Sequence, residues 1–126
     1  PGAGAAGGLG WALLSFFTAE LVPGIDLVIS ATQLRERLRG ADLCVTGEGA
    51  FDGQSAGGKT ASGVARLCRE LGVPCALLAG HISANTVATF AHAVEVSPRN
   101  MPLPEAFSRA GELLEKAAES LPGQRA

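Results

Sequence analysis

The chain has 126 residues, 47% hydrophobic and 17% charged, which is enough apolar material for one globular domain with a real core and excludes a disordered segment. A formal net charge of −2, with five phenylalanines and Trp11 as its aromatic residues, offers neither a basic surface nor a stacking platform for nucleic acid. The longest apolar stretch, near Leu9 to Leu21, is interrupted by Ser15, Thr18 and Glu20, is too short to span a bilayer, and lacks the basic lead of a secretory signal.

The chain opens on Gly2-Ala3-Gly4-Ala5-Ala6-Gly7, a GxGxxG spacing that runs into a helical pattern. No strand precedes it and no acidic residue is placed to read a ribose, so anion binding by Gly4 and Gly7 and simple close packing both stay open. From Gly8 to about Glu20, Leu9, Leu13, Leu14 and Phe17 recur at helical spacing, with Trp11, Ala12 and Phe16 on other faces. Such a helix must be covered nearly all round. Val22-Pro23-Gly24 breaks it, a short helix is expected from Pro23 to about Ser30, and another turn from Gln33 to Leu38 ends at Gly40, a natural C-terminal cap. Arg35, Glu36, Arg37 and Arg39 read as a solvated helix face.

Ala41-Asp42-Leu43-Cys44-Val45-Thr46 is an apolar run of strand length, followed by a glycine-dense loop. Beyond the loop, Val64, Leu67, Cys68 and Leu71 form the stripe of a helix packing on a sheet, and Gly72 stops it. Val73 to Ala79 is a second buried strand, with Pro74 at its start and Gly80 closing it. Ser83 caps a helix expected to reach Ala91, with His92 at its end, and Ala93-Val94-Glu95-Val96 is a third strand. After a loop from Pro98 to Pro104, one final amphipathic helix directs Phe107, Ala110, Leu114, Ala117 and Leu121 inward, with Glu105, Glu112, Glu115, Lys116 and Glu119 outward.

Apolar strands separated by helices point to an α/β fold of parallel β-α-β units with both sheet faces covered. Three strands make a thin sheet, and the sequence starts at Pro1 without a methionine. Further strands are therefore expected from sequence upstream of Pro1. Cys44, Cys68 and Cys75 form an odd set with no CxxC pair, each in an apolar context. Their spacing argues against a zinc site or a disulfide framework; they read as small buried hydrophobes in a protein of the reducing cytoplasm.

The chemistry concentrates in Val45-Thr46-Gly47-Glu48-Gly49-Ala50-Phe51-Asp52-Gly53-Gln54-Ser55-Ala56-Gly57-Gly58-Lys59. In an open parallel sheet the ligand crevice lies at the carboxyl ends of the strands, and this loop leaves the first strand at such an end. The glycines Gly47, Gly49, Gly57 and Gly58 can present backbone N–H groups to an anion, at the positive end of the following helix. Lys59 suits a phosphoryl group; its alternative is a solvated first-turn lysine. Asp52 and Glu48 are candidate Mg²⁺ ligands or proton acceptors, although Asp52-Gly53 is also a favoured turn pair and Glu48 can cap backbone donors. Gln54 either orients substrate or braces the loop. His81, just past Gly80, falls near the same crevice, where ligand contact and a bracing hydrogen bond are both open.

Taken in order, Pro1 to Gly10, Thr46-Gly47-Glu48-Gly49 with Asp52-Gly53-Gln54 and Gly58-Lys59, and Gly72-Val73-Pro74 with Ala79-Gly80 resemble the bacterial-type (class I) glycerate kinase family. The similarity covers nearly the whole chain and looks like the C-terminal portion of such an enzyme. It implies a flavodoxin-like or Rossmann-like parallel sheet with flanking helices, completed by N-terminal strands. Residues 1–40 would be a helical segment from the junction with a second domain, and residues 41–126 the C-terminal part of the flavodoxin-like domain. It further implies ATP-dependent phosphorylation of a hydroxyl of D-glycerate with Mg²⁺, and inactivity of this portion alone. Glu48, Asp52, Gln54 and Lys59 match polar members of the family's motif. Ala50 and Ala61 depart from it, since the family often has a basic or polar residue and a proline there. The competing reading is a non-catalytic flavodoxin-like module that binds a nucleotide or phosphate.

Overall fold

The computed structural model describes residues 4–52, 60–83 and 88–122. Among these, three strands form one parallel sheet in the order β1-β2-β3: β1 is Cys44–Phe51, β2 Cys75–Ile82 and β3 His92–Glu95. β1 pairs with β2 from Cys44↔Cys75 to Phe51↔Ile82, and β2 with β3 from Ala76↔His92 to Ala79↔Glu95. The expected parallel α/β architecture is present.

Every residue from Cys75 to Ala79 is buried, because β2 is the central strand and is covered on both faces. Its side chains alternate between two cores. Cys75, Leu77 and Ala79 face the helix α4, Thr60–Leu71, whose Ala61, Val64, Ala65, Leu67 and Cys68 are buried. Ala76 and Leu78 face Ala117 and Leu121 at the other end of the chain. On the α4 side the core continues through α2, Gly24–Ala31, and α3, Leu34–Leu38. Gly63 lets α2 approach: a Cβ there would sit 2.5 Å from Ile25 Cγ1. Two surface ion pairs, Arg66 with Asp26 and Arg35 with Glu70 at 2.5 Å, bridge the same helices. Arg39 pairs with Glu36 at 3.0 Å, so Arg35, Glu36 and Arg39 of the expected solvated face are partnered. Gly40 and Gly72 hold φ of +75° and +70°, the left-handed geometry that ends α3 and α4 where expected.

Several expectations are corrected. The glycine-dense segment does not leave the sheet at Thr46. Gly47 through Phe51 remain in β1, because β2 also runs on past Gly80 to Ile82 and supplies hydrogen-bond partners along that length. β3 begins one residue early, so His92 starts a strand instead of ending a helix. The helix expected from Ser83 to Ala91 falls partly on residues 84–87, outside the described residues. The single final helix is two, α5 at Leu103–Ser108 and α6 at Ala110–Glu119, broken at Arg109, whose φ of −106° and ψ of 10° lie off the helical range. Ala106, Leu113, Ala117 and Leu121 are the inward residues, while Phe107 is 75% exposed. Finally α1, Leu9–Phe16, has no buried residue: Trp11 and Phe16 stack edge to face in the open, 6.0 Å apart, because no described element covers them.

Burial raises the Cys75 thiol to about 11, with Cys44 adding to the shift and the hydrogen bond with Cys68 opposing it; burial raises Cys68 still further, and there both neighbouring thiols add to the effect. Among the described residues no helix is long and apolar enough to cross a membrane.

Candidate functional site

The carboxyl ends of β1, β2 and β3 open into a cavity of about 550 Å³. That volume lies in the range that holds small ligands and cofactors. Its floor is glycine. Gly47 and Gly49 of β1 and Gly80 of β2 line it without side chains, and a Cβ on Gly80 would come 2.6 Å from the carbonyl oxygen of Gly49. Only glycine allows the two strands to run so close there and leave the space above them empty. The far wall is apolar, formed by Leu103 and Phe107 of α5 with Leu114 of α6. The break at Arg109 gives these residues their position, since it separates the exposed stripe of α5 from the face of α6 buried on β2.

Three charged side chains and one imidazole edge this space. Glu48 lies in β1 with its Oε1 accepting a hydrogen bond of 3.2 Å from the backbone N–H of Ala61. A carboxylate at that point satisfies a free first-turn donor of α4 and complements the positive end of the helix. One first-turn amide of α4 is thereby taken by Glu48. His81 lies in β2, its Nδ1 2.7 Å from Glu95 Oε1 at the end of β3. Arg99 approaches the other oxygen, Nε to Oε2 at 3.5 Å. Partial burial pushes the Glu95 carboxyl upward, yet the hydrogen bonds from His81 and the Ile82 backbone, with the charges of His81 and Arg99, hold it below the usual carboxylate range.

The structure therefore brings together four of the residues singled out from sequence, Gly47, Glu48, Gly49 and His81, around one cavity. Asp52 follows β1 directly and is exposed, but is not part of the lining. Gly4 precedes and Gly7 lies within a 3₁₀ turn, Ala5–Gly8, before α1, and neither lines the cavity. Gln54, Gly57, Gly58 and Lys59 lie outside the described residues. Sequence reasoning missed Glu95, Arg99 and the apolar wall. For Glu95 the signal was present: the logic that put His81 near the crevice, the carboxyl end of a strand, applies equally to the one charged residue of the third.

The profile of the glycerate kinase family matches residues 1–124 of this chain. The chain is 43% identical over 125 residues to a glycerate kinase of Halalkalibacterium halodurans, covering 96% of this chain and 33% of that protein. It is 41% identical over 124 residues to a glycerate kinase of Bacillus subtilis, covering 95% and 32%. A solved structure from Salmonella typhimurium LT2, described provisionally as glycerate kinase 2, superposes with a TM-score of 0.68 at 35% identity, over 94% of this chain and 32% of that one. The chain thus spans about a third of the length of the curated relatives it matches. With a match along nearly all of its residues and the same fold in a solved relative, the chain belongs to the glycerate kinase family.

Proposed function

We propose that this chain is the C-terminal portion of a cytoplasmic glycerate kinase, which transfers the γ-phosphoryl group of ATP to a hydroxyl of D-glycerate with Mg²⁺. The observation that supports this reading is the cavity: at the carboxyl ends of all three parallel strands, within the region the family matches, a space with a glycine floor and an apolar wall is lined also by Glu48, His81 and Glu95. The wall of Leu103, Phe107 and Leu114 suits the flat face of a nucleotide base, and the polar edge suits phosphates and a small hydroxy acid.

The donor set fits a hard cation, because the lining includes Glu48 and Glu95 and no cysteine. Glu48, on the cavity lining, and Asp52, which follows β1 just outside it, would hold Mg²⁺, with Glu48 Oε1 also accepting from the Ala61 N–H. Bound there, the ion neutralises charge on the phosphates. Lys59, immediately before α4 in sequence, brings an ammonium to the transferring group, with Gly57 and Gly58 offering N–H donors and Gln54 orienting the substrate. His81 has Nδ1 engaged by Glu95 and, among the described residues, no partner at Nε2, which leaves that nitrogen to receive the proton of the attacking hydroxyl. Glu95 fixes the ring and its tautomer. The remainder of the enzyme would close the cleft and cover the apolar surface of α1, so the chain alone is inactive.

The test is a chimaera carrying a family member's N-terminal region ahead of Pro1, assayed for ATP-dependent phosphorylation of glycerate. Turnover is expected; a folded chimaera with none overturns the proposal. Calorimetry on the same protein separates the alternatives, since saturable nucleotide binding with no glycerate dependence is the behaviour of a non-catalytic module.

A further inference from the structure

All three cysteines of the chain converge on one point from three elements, Cys44 at the start of β1, Cys68 on α4 and Cys75 at the start of β2. Their sulfurs lie within 4.8 Å of one another. The β1–β2 register makes Cys44 and Cys75 direct neighbours, and α4 lays Cys68 against them in the same core. Cys44 is only half-buried as a residue, but all three sulfurs are buried. The cluster sits at the amino-terminal ends of the strands, the opposite end from the cavity, and serves no step assigned above.

We infer that Cys44, Cys68 and Cys75 form a three-sulfur site for a trivalent thiophilic element of the arsenite type. Softness is the first argument: a donor set made only of sulfur selects soft, thiophilic centres over hard cations. Coordination number is the second. Among the described residues no histidine, aspartate or glutamate joins the group, so the site offers three ligands, where structural zinc takes four. Charge is the third, and it decides the valence. Three thiolates carry three negative charges into surroundings built from Leu38, Val64 and Leu67, where uncompensated charge is costly. A monovalent centre would leave two charges unbalanced and a divalent one would leave one. A trivalent centre leaves none.

The chemistry balances without an oxidant or reductant. Arsenite enters as uncharged As(OH)₃; three As–O bonds break and three As–S bonds form. Each departing hydroxide leaves as water with one thiol proton, so the oxidation state and the net charge are unchanged. A neutral reagent can pass the half-buried edge at Cys44 that an aquated cation would not. Bonds of about 2.3 Å, the length of a metal–thiolate bond, put three such sulfurs at most ~4 Å apart, within reach of small side-chain rotations from the present spacing.

The full-length protein is treated with arsenite, desalted and compared with its Cys44→Ala variant by elemental analysis and native mass spectrometry. The parent is expected to retain one more arsenic per chain than the variant, with a mass gain of one arsenic less three hydrogens and a raised Tm. Equal arsenic in both proteins overturns the inference. X-ray absorption at the arsenic edge of the loaded parent needs no variant: three sulfur neighbours support the site, and a retained oxygen neighbour refutes it.

Discussion

The α-carbon of Gly80 on β2 faces the carbonyl oxygen of Gly49 on β1 so closely that an added methyl carbon would lie 2.6 Å from it. The contact is backbone against backbone, so nothing flexible can yield. Gly80→Ala should therefore spread the carboxyl ends of β1 and β2 and fill the cavity floor, at a cost of about 1–3 kcal/mol, the usual penalty for overpacking. Chemical denaturation measures it. Gly111→Ala, where an added Cβ meets nothing within 4 Å, is the control and should show no loss of stability.

The Glu95 carboxyl should titrate below its ordinary value of 4.5, and His81→Ala should bring it back up. A depressed carboxylate stabilises the fold fully above its unfolded pKa, and that contribution is lost as pH falls through the folded one. Acid unfolding of the parent should accordingly show a component below 4.5 that His81→Ala weakens. Carbon-detected NMR of the glutamate carboxyls reads the titration directly; an unmoved Glu95 in the variant would remove the His81 hydrogen bond as its cause.

Glu48 joins β1 to the first turn of α4 through the N–H of Ala61. Glu48→Ala should lower stability by about 1 kcal/mol, as the loss of a helix-capping side chain does, and Glu48→Gln should recover most of it because the amide oxygen still accepts. The two variants separate capping from metal binding. If Glu48 also holds Mg²⁺ as proposed, Glu48→Gln in the active enzyme will keep its Tm and need more Mg²⁺ for half-maximal rate.

Lys59→Ala in the active enzyme should lower kcat by at least about tenfold, the scale of a lost electrostatic contact to a transferring phosphoryl group. A solvated lysine would leave the kinetics unchanged. Steady-state assays of both proteins at saturating ATP and glycerate decide between the two roles.

Much of this architecture was legible before any coordinate. The stripe Val64, Leu67 and Cys68, the stops at Gly40 and Gly72, and the unbroken apolar run of the central strand each follow from local periodicity or a single backbone angle. The site was legible only in part. Gly47, Glu48 and Gly49 stood out by composition, but composition made them a loop, and they belong to a strand.

What the sequence determined by itself is the alternation of helices and apolar strands and the residue types gathered after Thr46, since both are properties of neighbours along the chain. Tertiary structure alone decided the length of β1, which depends on how far β2 continues beside it, and the pairing of His81 with Glu95, which depends on register across β2 and β3. It also decided the meeting of Cys44, Cys68 and Cys75. Those outcomes depend on residues distant in sequence, brought within a few ångströms by sheet pairing and helix packing, and no local pattern carries that information.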